Sequence, residues 1–378
     1  MKKLRLLLFV LGGILNLNVS AQNTLLENAV TGEITAGFVD IEIAYNETDA
    51  VLIAADDEHD EFYAIDIQDN DPNQAVNNEV TTIENLGTKL EDLLGTDNIN
   101  LQTIEVNPFS KTIYVLVDDK IVKIENDGAN IEQLDLSNIS YSKIAWGNND
   151  REYTPLDMTW GDNKLFISSG NAMGGLAGEI AKVTAPFNHN STTNNRNTSM
   201  FKSNWGDTHF TEAPLEKIEF ATIDGVDRLL GVTTCAPSFS FPISDLDEGN
   251  GTMLVDEQFT LGGNAPMAVV FQKQKDNDLL FDLHLEWDIN TGEDEPELIK
   301  IEKQFIDGSP EAREEINGDR ISASAWETVE GIERNYARGL AYIAKWDNCN
   351  LLVINPITEE GDWGCLLYTS PSPRDKRQ

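Results

Sequence analysis

Short runs in which apolar and polar residues alternate recur along most of the chain, beginning near Gly37. Examples are GFVDIEIAYN, EFYAIDI, TIYVLVDD and KIVKIEND, all rich in β-branched and aromatic residues. A period of two is typical of strands with one buried face. Helical periodicity appears at Thr88–Gly95 and at Ser309–Ile316. The chain is therefore predicted to be mostly β.

A longer unit repeats on top of this alternation: an apolar strand, a polar turn, a second apolar strand and sometimes a third. The units begin at Gly37, Asn100, Thr154, Glu216, Ala265 and Ala337. Repeats of this kind bury their faces only against neighbouring repeats, which is the logic of a propeller. The predicted fold class is all-β, a β-propeller of six or more blades, with truncation at the C-terminus left open. A large β-sandwich or two stacked β-domains is the alternative.

The first 21 residues have the layout of a secretory signal peptide. Lys2, Lys3 and Arg5 precede an apolar stretch from Leu6 to Leu15, and a small-residue pattern ends at Ala21. Because these parts occur in the order that export requires, the predicted location is periplasmic, cell-surface or extracellular. A buried N-terminal helix is the alternative.

The last residues, CLLYTSPSPRDKRQ, differ abruptly from the acidic sequence before them. The string resembles the in-frame translation of a transposase-based sequencing adapter. This resemblance implies that residues 365–378 are an artefact, and a natural disordered tail is the alternative. The expected division is a signal peptide at 1–21, an incomplete propeller domain at 22–364 and the tail at 365–378.

Charge and composition limit the classes of molecule that the protein is expected to bind. The formal net charge is −38, with 40% hydrophobic residues. A surface this negative repels nucleic acid and anionic lipid, and no apolar run after the N-terminus has the length of a membrane span. The expected partner is an extracellular glycan, peptide or protein. An acidic surface adapted to saline surroundings explains the charge equally well.

Two stretches carry a resemblance to secreted propeller-like proteins. Thr234–Phe271 is similar to a junction in which a Cys-x-Pro turn and a Phe-Pro strand lead to an Asn-x-Pro that opens the next blade. The segment NPFSKTIYVLVDDKIVKI resembles blades of extracellular six- and seven-bladed propellers, some of them lactonases and many of them binding proteins. The resemblance implies a fold and a compartment and carries over no catalytic residue.

Oxygen ligands make Ca²⁺ the metal to consider, because the four His are widely separated. Two acidic turns are dense in such ligands, and they contain Asp56, Asp57, Asp69, Asp71 and Asn73. The last three match the first ligand positions of an EF-hand loop, but Gln74 stands where Gly is required and Val80 replaces the closing Glu. Solvated turn charges are the alternative reading of both segments.

Two further groups are candidates for ligand binding. Innermost strands of a propeller line its channel, and the polar residues on the predicted inner strands are Asp40, Asp157 and Arg338. These polar groups are equally explained by hydrogen bonds to adjacent blades. The segment Ala185–Pro214 is predicted to be a long loop, either a binding loop or a flexible insertion. It carries Arg196, Trp205, Asp207 and His209, which suit stacking on a sugar or peptide.

If Cys365 belongs to the tail, Cys235 and Cys349 remain as a pair, predicted to form a disulfide or to stay as two buried thiols. The sequence carries no G-x-S-x-G, H-E-x-x-H, P-loop or G-x-G-x-x-G motif. The predicted function is a binding module. The alternative is a lactonase-like or other propeller hydrolase with Ca²⁺ at the channel mouth.

Overall fold

The computed structural model describes residues 23–76, 78, 82–147, 154–170, 178–202, 209–211, 214–233, 238–248, 253–255, 258–260, 265–274, 278–288, 293–303, 306, 332–338, 340–356 and 363–369. The signal sequence lies outside this part of the chain, as does the helix predicted at Ser309–Ile316. Within the described ranges no helix is both long and apolar enough to cross a membrane.

Strands dominate the described residues. Those of the first half are, in chain order, β1 Leu26–Glu27, β2 Val30–Gly32, β3 Asp40–Tyr45, β4 Ala50–Asp56, β5 Glu61–Ile65, β6 Thr82–Ile83, β7 Leu101–Val106, β8 Ile113–Val117, β9 Lys120–Glu125, β10 Asn130–Gln133, β11 Ile139–Ala145, β12 Thr154–Gly161, β13 Lys164–Gly170 and β14 Gly178–Thr184. Those of the second half are β15 Phe187–Asn188, β16 Ser191–Thr192, β17 Asn194–Lys202, β18 His209–Thr211, β19 Lys217–Ile223, β20 Val226–Val232, β21 Ser238–Pro242, β22 Met253–Val255, β23 Gln258–Thr260, β24 Ala265–Gln272, β25 Leu279–Asp288, β26 Glu293–Glu302, β27 Ile332–Arg338, β28 Tyr342–Lys345, β29 Asn350–Pro356 and β30 Trp363–Thr369.

Helix α1 spans Leu86–Leu94 and confirms the helix predicted near Thr88–Gly95. It ends at Gly95, whose φ of 68° places it in the left-handed region that glycine adopts most readily. The Gly95 N–H donates to Glu91 O at 2.8 Å. Leu86 and Leu90 are fully buried, so one face of the helix is part of the core.

Five of the six predicted repeats open an antiparallel sheet, and the repeat from Ala337 begins in the last strand of one sheet before it reaches the next. The strand orders are β3-β4-β5-β11, β7-β8-β9-β10, β12-β13-β14-β17, β19-β20-β21-β23, β24-β25-β26-β27 and β28-β29-β30-β6, and short strands extend the first and third sheets. The starts predicted at Thr154 and Ala265 coincide with the first residues of β12 and β24. The alternating pattern therefore located the sheets along the chain.

The order of sheets in space differs from their order in sequence. The fourth strand of the first sheet, β11, follows the whole second sheet in the chain. Similarly, β6 lies between the first two sheets in sequence but forms the outer strand of the last sheet, where Thr82 and Ile83 pair with Leu366 and Cys365. The second sheet is thus inserted within the first, and its preceding linker completes the last one.

The first strands of these sheets surround a common axis. Strand β3 contacts β7 and β12, β12 contacts β19, β19 contacts β24, β24 contacts β28, and β28 contacts β7. Each neighbouring pair of sheets shares one apolar core, such as that of Ile41 and Leu52 with Tyr114 between the first and second sheets. Radially arranged sheets that pack face to face around an axis form a β-propeller. The structure therefore confirms the all-β class and the propeller arrangement that the repeats predict.

Both ends of the described chain are paired. The segment before Gly37 forms β2, which pairs antiparallel with β11 through Gly32↔Ile139. Cys365–Thr369, the first residues of the predicted tail, belong to β30 and pair with β29. The remaining tail residues, 370–378, lie outside the described chain. The division at residue 364 and the origin of the tail stay predictions.

Candidate functional site

A cavity of about 360 Å³ lies on the axis of the ring. Strands β3, β7, β12, β19, β24 and β28 all contribute to its wall. Tyr45, Lys345 and Asn348, which are exposed lining residues, stand at or after the C-terminal ends of their strands. The cavity therefore opens at the C-terminal ends of the first strands, and we call this opening the mouth.

Polar side chains of the first strands form two layers, because positions two residues apart lie on the same side of a strand. The first layer consists of Asp40, Thr103, Asp157, Lys217 and Tyr342. The second layer, nearer the mouth, consists of Glu42, Glu105, Thr159 and Glu219. Hydrogen bonds within the layers support this assignment: Thr103 Oγ1 donates to Asp40 Oδ1 at 2.6 Å, and Lys217 Nζ donates to Asp157 Oδ1 at 2.9 Å.

Several of these side chains join one sheet to the next. Asp157 Oδ2 accepts a hydrogen bond from the Ile218 N–H at 2.7 Å, and Glu219 Oε1 accepts one from the Phe271 N–H at 3.0 Å. The first strand of a blade has one edge without a partner strand, so its backbone N–H groups need acceptors from elsewhere. For Asp157 the structure thus supports the bonding role considered above as the alternative to ligand binding.

Asp40 is the most buried acid of the two layers, with 3% of its surface exposed. Its Oδ2 atom has no hydrogen-bond partner, whereas Oδ1 accepts from Thr103. Burial, followed by the negative charge of Asp157, raises the pKa of Asp40 to about 7. Asp40 therefore holds a proton far more readily than an ordinary aspartate and has an acceptor to spare.

The second layer concentrates three glutamates. Burial is the largest cause that raises the pKa of Glu42, and the charges of Glu105 and Glu219 come next. Burial, then Asp40 and Glu219, raise the pKa of Glu105 well above its usual range. Burial raises the pKa of Glu219 to about 7, against the opposing charge of Lys345. Each of these carboxyls therefore holds a proton more readily than an ordinary glutamate does.

Lys217 is the cation at the centre of the ring. Burial acts to lower its pKa, but Asp157 and then Asp40 outweigh burial, so the pKa is raised and the ammonium stays charged. The two layers contain five carboxyl groups, and Lys217 is hydrogen-bonded to one of them, that of Asp157.

Aromatic residues surround the mouth. Tyr45 is 44% exposed, and the Trp160 Nε1–H donates to Tyr45 O at 2.8 Å. Elsewhere on the rim, Lys111 Nζ donates to Trp346 O at 2.6 Å and stands 5.5 Å from the centre of the indole ring. The Trp346 ring thus already has a cation on its face, while the Tyr45 ring remains accessible to a ligand.

Of the channel residues predicted from sequence, Asp40 and Asp157 lie together and Arg338 does not. Arg338 is the last residue of β27, the fourth strand of its sheet, where it pairs with Glu297. The sequence unit that began at Ala337 joins the end of one sheet to the next, whose first strand begins only at Tyr342. Placing Arg338 on an inner strand was therefore wrong.

The segment predicted as a long loop contains strands β15 to β18, so that expectation is wrong. Arg196 lies in β17, the fourth strand of its sheet, and Arg196 Nη1 donates to Glu248 O. His209 begins β18, paired with Lys202. Neither residue is on a first strand. Trp205 and Asp207 lie outside the described residues.

Four of the five residues predicted as Ca²⁺ ligands form hydrogen bonds within the protein: Asp56, Asp69, Asp71 and Asn73. Asp56 is buried and accepts hydrogen bonds from the Glu58 N–H and from His59. Asp57 is an exposed neighbour in the same turn.

The second acidic turn is engaged in the same way. Asp69 Oδ2 accepts from Ser110, Tyr114 and the Asn107 amide of the second sheet. Asp71 accepts from Asn73 within its own turn. The part of the chain that the structure describes contains no group of three or more His, Cys, Asp or Glu arranged to hold a metal ion.

Cys349 is exposed and free in the structure, and Cys235 lies outside the described residues. The disulfide stays a prediction.

Glu42, Glu105, Lys217 and Glu219 are the site residues that sequence reasoning missed. A signal for them exists: the segments D-I-E-I, T-I-E-V and K-I-E-F stand at equivalent positions of β3, β7 and β19. The first residue of each segment belongs to the first layer, and the glutamate two positions later belongs to the second layer. Aligning the repeats on this pattern would have identified the second layer.

Comparisons with known proteins add no family. No protein-family model matches the chain, and no curated protein matches it. Among solved structures, the chain is similar to "Bacteroides ovatus Xyloglucan PUL GH43B", with 10% identity over 92% of this chain and 55% of the other, at a TM-score of 0.35. A glucose dehydrogenase matches with 10% identity, 91% and 100% coverage and a TM-score of 0.34. A streptogramin B lyase matches with 11% identity, 90% and 97% coverage and a TM-score of 0.25. Likenesses at this level carry no argument about function.

Proposed function

We propose that this protein is an exported, acidic β-propeller of six blades that binds an extracellular glycan, peptide or protein at the mouth of its channel. The closed order of contacts among β3, β7, β28, β24, β19 and β12 supports the blade number. The signal-type N-terminus supports export.

The observation that carries the binding role is the axial cavity with an aromatic residue at its mouth and carboxyls within it. Its volume, about 360 Å³, lies at the lower end of the range for ligand pockets. A cavity of this size admits a small molecule or one projecting group of a larger ligand. Tyr45 presents a flat apolar face at the entrance, and such residues anchor sugars and peptide side chains at low entropic cost.

No observation favours the hydrolase alternative. A Lewis-acid mechanism with Ca²⁺ needs several oxygen ligands that converge on one point. The carboxyl with the best placed free acceptor, Asp40, is deeply buried beneath the glutamate layer.

The binding role is tested by screening the purified protein against arrays of glycans and peptides and measuring the hits by calorimetry. Tyr45→Ala is expected to weaken binding about tenfold, because it removes the exposed ring from the mouth. Leu93→Ala is the matched control, since Leu93 is a similarly exposed apolar residue on α1, away from the cavity. Binding that is equally strong in both variants would refute a ligand site at the mouth.

A further inference from the structure

We propose that the group held in the channel is an organic cation, a primary ammonium or guanidinium on a slender chain, which the second-layer glutamates Glu42, Glu105 and Glu219 bind. This inference rests on the proposed binding function and adds the chemical class of the ligand.

The charges in the channel do not balance. Five carboxyls, those of Asp40, Glu42, Glu105, Asp157 and Glu219, act on one another across the channel. The ammonium groups that act on them are those of Lys217 and Lys345. The first is bonded to Asp157, and the second is exposed at the rim. The glutamate layer is therefore left without a buried counter-charge, and a cationic ligand would supply it.

The carboxyls also have unused acceptor capacity. Asp40 Oδ2 is buried without a partner, and Asp40 lies two residues before Glu42 on the same side of β3. Glu42 Oε1 accepts a hydrogen bond from the N–H of the next residue, Ile43, at 2.7 Å. Within the described residues, Glu105 receives no hydrogen bond. An ammonium group has three donors and no acceptor, so its bonding capacity matches this set.

The size and lining of the cavity also fit such a ligand. The cavity holds about 360 Å³, and Tyr45 and Trp160 are among the residues that line it. A cation on an extended aliphatic stem places apolar atoms beside these rings and its charge among the carboxyls. A peptide side chain and a free polyamine share this chemistry, and the experiment separates them.

Calorimetry on the purified full chain tests the proposal with matched probes: the peptide acetyl-Gly-Lys-Gly-amide, the same peptide with Nε-acetyl-lysine, and spermidine. The lysine peptide or spermidine is expected to bind at least tenfold more tightly than the acetylated peptide. Binding of the peptide without spermidine identifies a peptide ligand, and the reverse identifies a free polyamine.

Glu105→Gln is expected to reduce the affinity for the cationic probe at least tenfold, because it removes a charge while keeping the shape. Glu132→Gln, on the exposed outer strand β10, is the matched control and should leave the affinity unchanged. Because burial raises the pKa of Glu219 to about 7, binding of a cation beside it should also release protons at pH 7. The release is measured as a dependence of the binding enthalpy on the buffer.

Equal binding of the acetylated and unmodified peptides, or an unchanged affinity in Glu105→Gln, would overturn the cation assignment. Displacement of the cationic probe by millimolar Ca²⁺ alone, with a 1:1 heat, would also overturn it in favour of a metal. If neither cationic probe binds while a neutral ligand binds in a Tyr45-dependent manner, the cation inference fails and the proposed function stands. If no glycan or peptide from the arrays binds either, both fail.

Discussion

Lys217 Nζ and Asp157 Oδ1 are 2.9 Å apart at the centre of the ring, on first strands of adjacent sheets. Their side chains are 19% and 14% exposed, so water screens the pair only weakly. Because Asp157 also accepts the Ile218 N–H, one carboxylate connects β12 to β19 through both a side chain and the backbone.

Lys217→Met should lower the free energy of unfolding by about 3 kcal/mol, because it leaves Asp157 buried without its counter-ion. Asp157→Asn combined with Lys217→Met should lose less than the sum of the two single changes. Urea unfolding measures these effects. As a control, Asp119→Asn, which removes the exposed Lys120–Asp119 pair, should change stability by less than about 1 kcal/mol. Additive effects at Lys217 and Asp157 would show that the pair is not coupled.

The raised pKa values of Asp40 and Glu219 predict that stability falls as pH rises. A carboxyl with a raised pKa in the fold binds its proton more tightly when folded. Its contribution is therefore complete below the unfolded value near pH 4 and is lost as pH rises to about 7. We expect the free energy of unfolding to decrease between pH 5 and pH 8, by about 2–4 kcal/mol.

Substitutions show which titrating groups cause this pH dependence of stability. The hydrogen bond to Asp56 raises the pKa of His59, so the contribution of His59 to stability is also lost as pH rises. The pH dependence of the wild-type protein alone therefore does not identify the group that causes it. Asp40→Asn should reduce the slope between pH 5 and pH 8 and leave the part that is due to Glu219 and His59. Asp135→Asn is the control: hydrogen bonding to Ser137 lowers the pKa of this exposed carboxyl, so its contribution to stability changes only below about pH 4. A slope in Asp40→Asn as steep as that of the wild type would contradict the assignment.

Gly161→Ala should destabilise the contact between the third and fourth sheets. A Cβ at this position would lie 2.0 Å from Phe220 Cδ1, and the Phe220 ring stacks on Phe166. Relief requires movement of a packed ring, which costs about 1–3 kcal/mol. Gly32→Ala is the matched control, because the nearest atoms to its Cβ are 3.9 Å away. Equal urea midpoints for the two variants would show that the contact yields without cost.

Added Ca²⁺ should leave the melting temperature unchanged if the protein is a binding propeller without a metal centre. A ligand that binds only the folded state stabilises it in proportion to the logarithm of its concentration. The measurement is a calorimetric melt in 0 and 5 mM Ca²⁺, with Mg²⁺ at the same ionic strength as the control. A rise specific to Ca²⁺ would favour the hydrolase alternative.

The local sequence pattern predicted much of the fold. Alternation with period two located the strands, because a strand with one buried face must alternate, and the recurring units from Gly37 to Ala265 identified the starts of five sheets. Helix α1 was equally readable from its apolar spacing. Asp40 and Asp157 were chosen from sequence because polar residues on first strands of a propeller border its axis.

Tertiary structure alone decided the rest, because it depends on which strands pair across long distances. Sequence order did not reveal that β11 returns to the first sheet or that β6 completes the last one. The same ambiguity misplaced Arg338, since only residues 339–341, which include no polar turn residue such as Asn or Asp, separate an outer strand from the next inner strand. Above all, the glutamate layer exists only where three strands distant in sequence bring Glu42, Glu105 and Glu219 to one axis, and burial there is the largest cause of their raised pKa values.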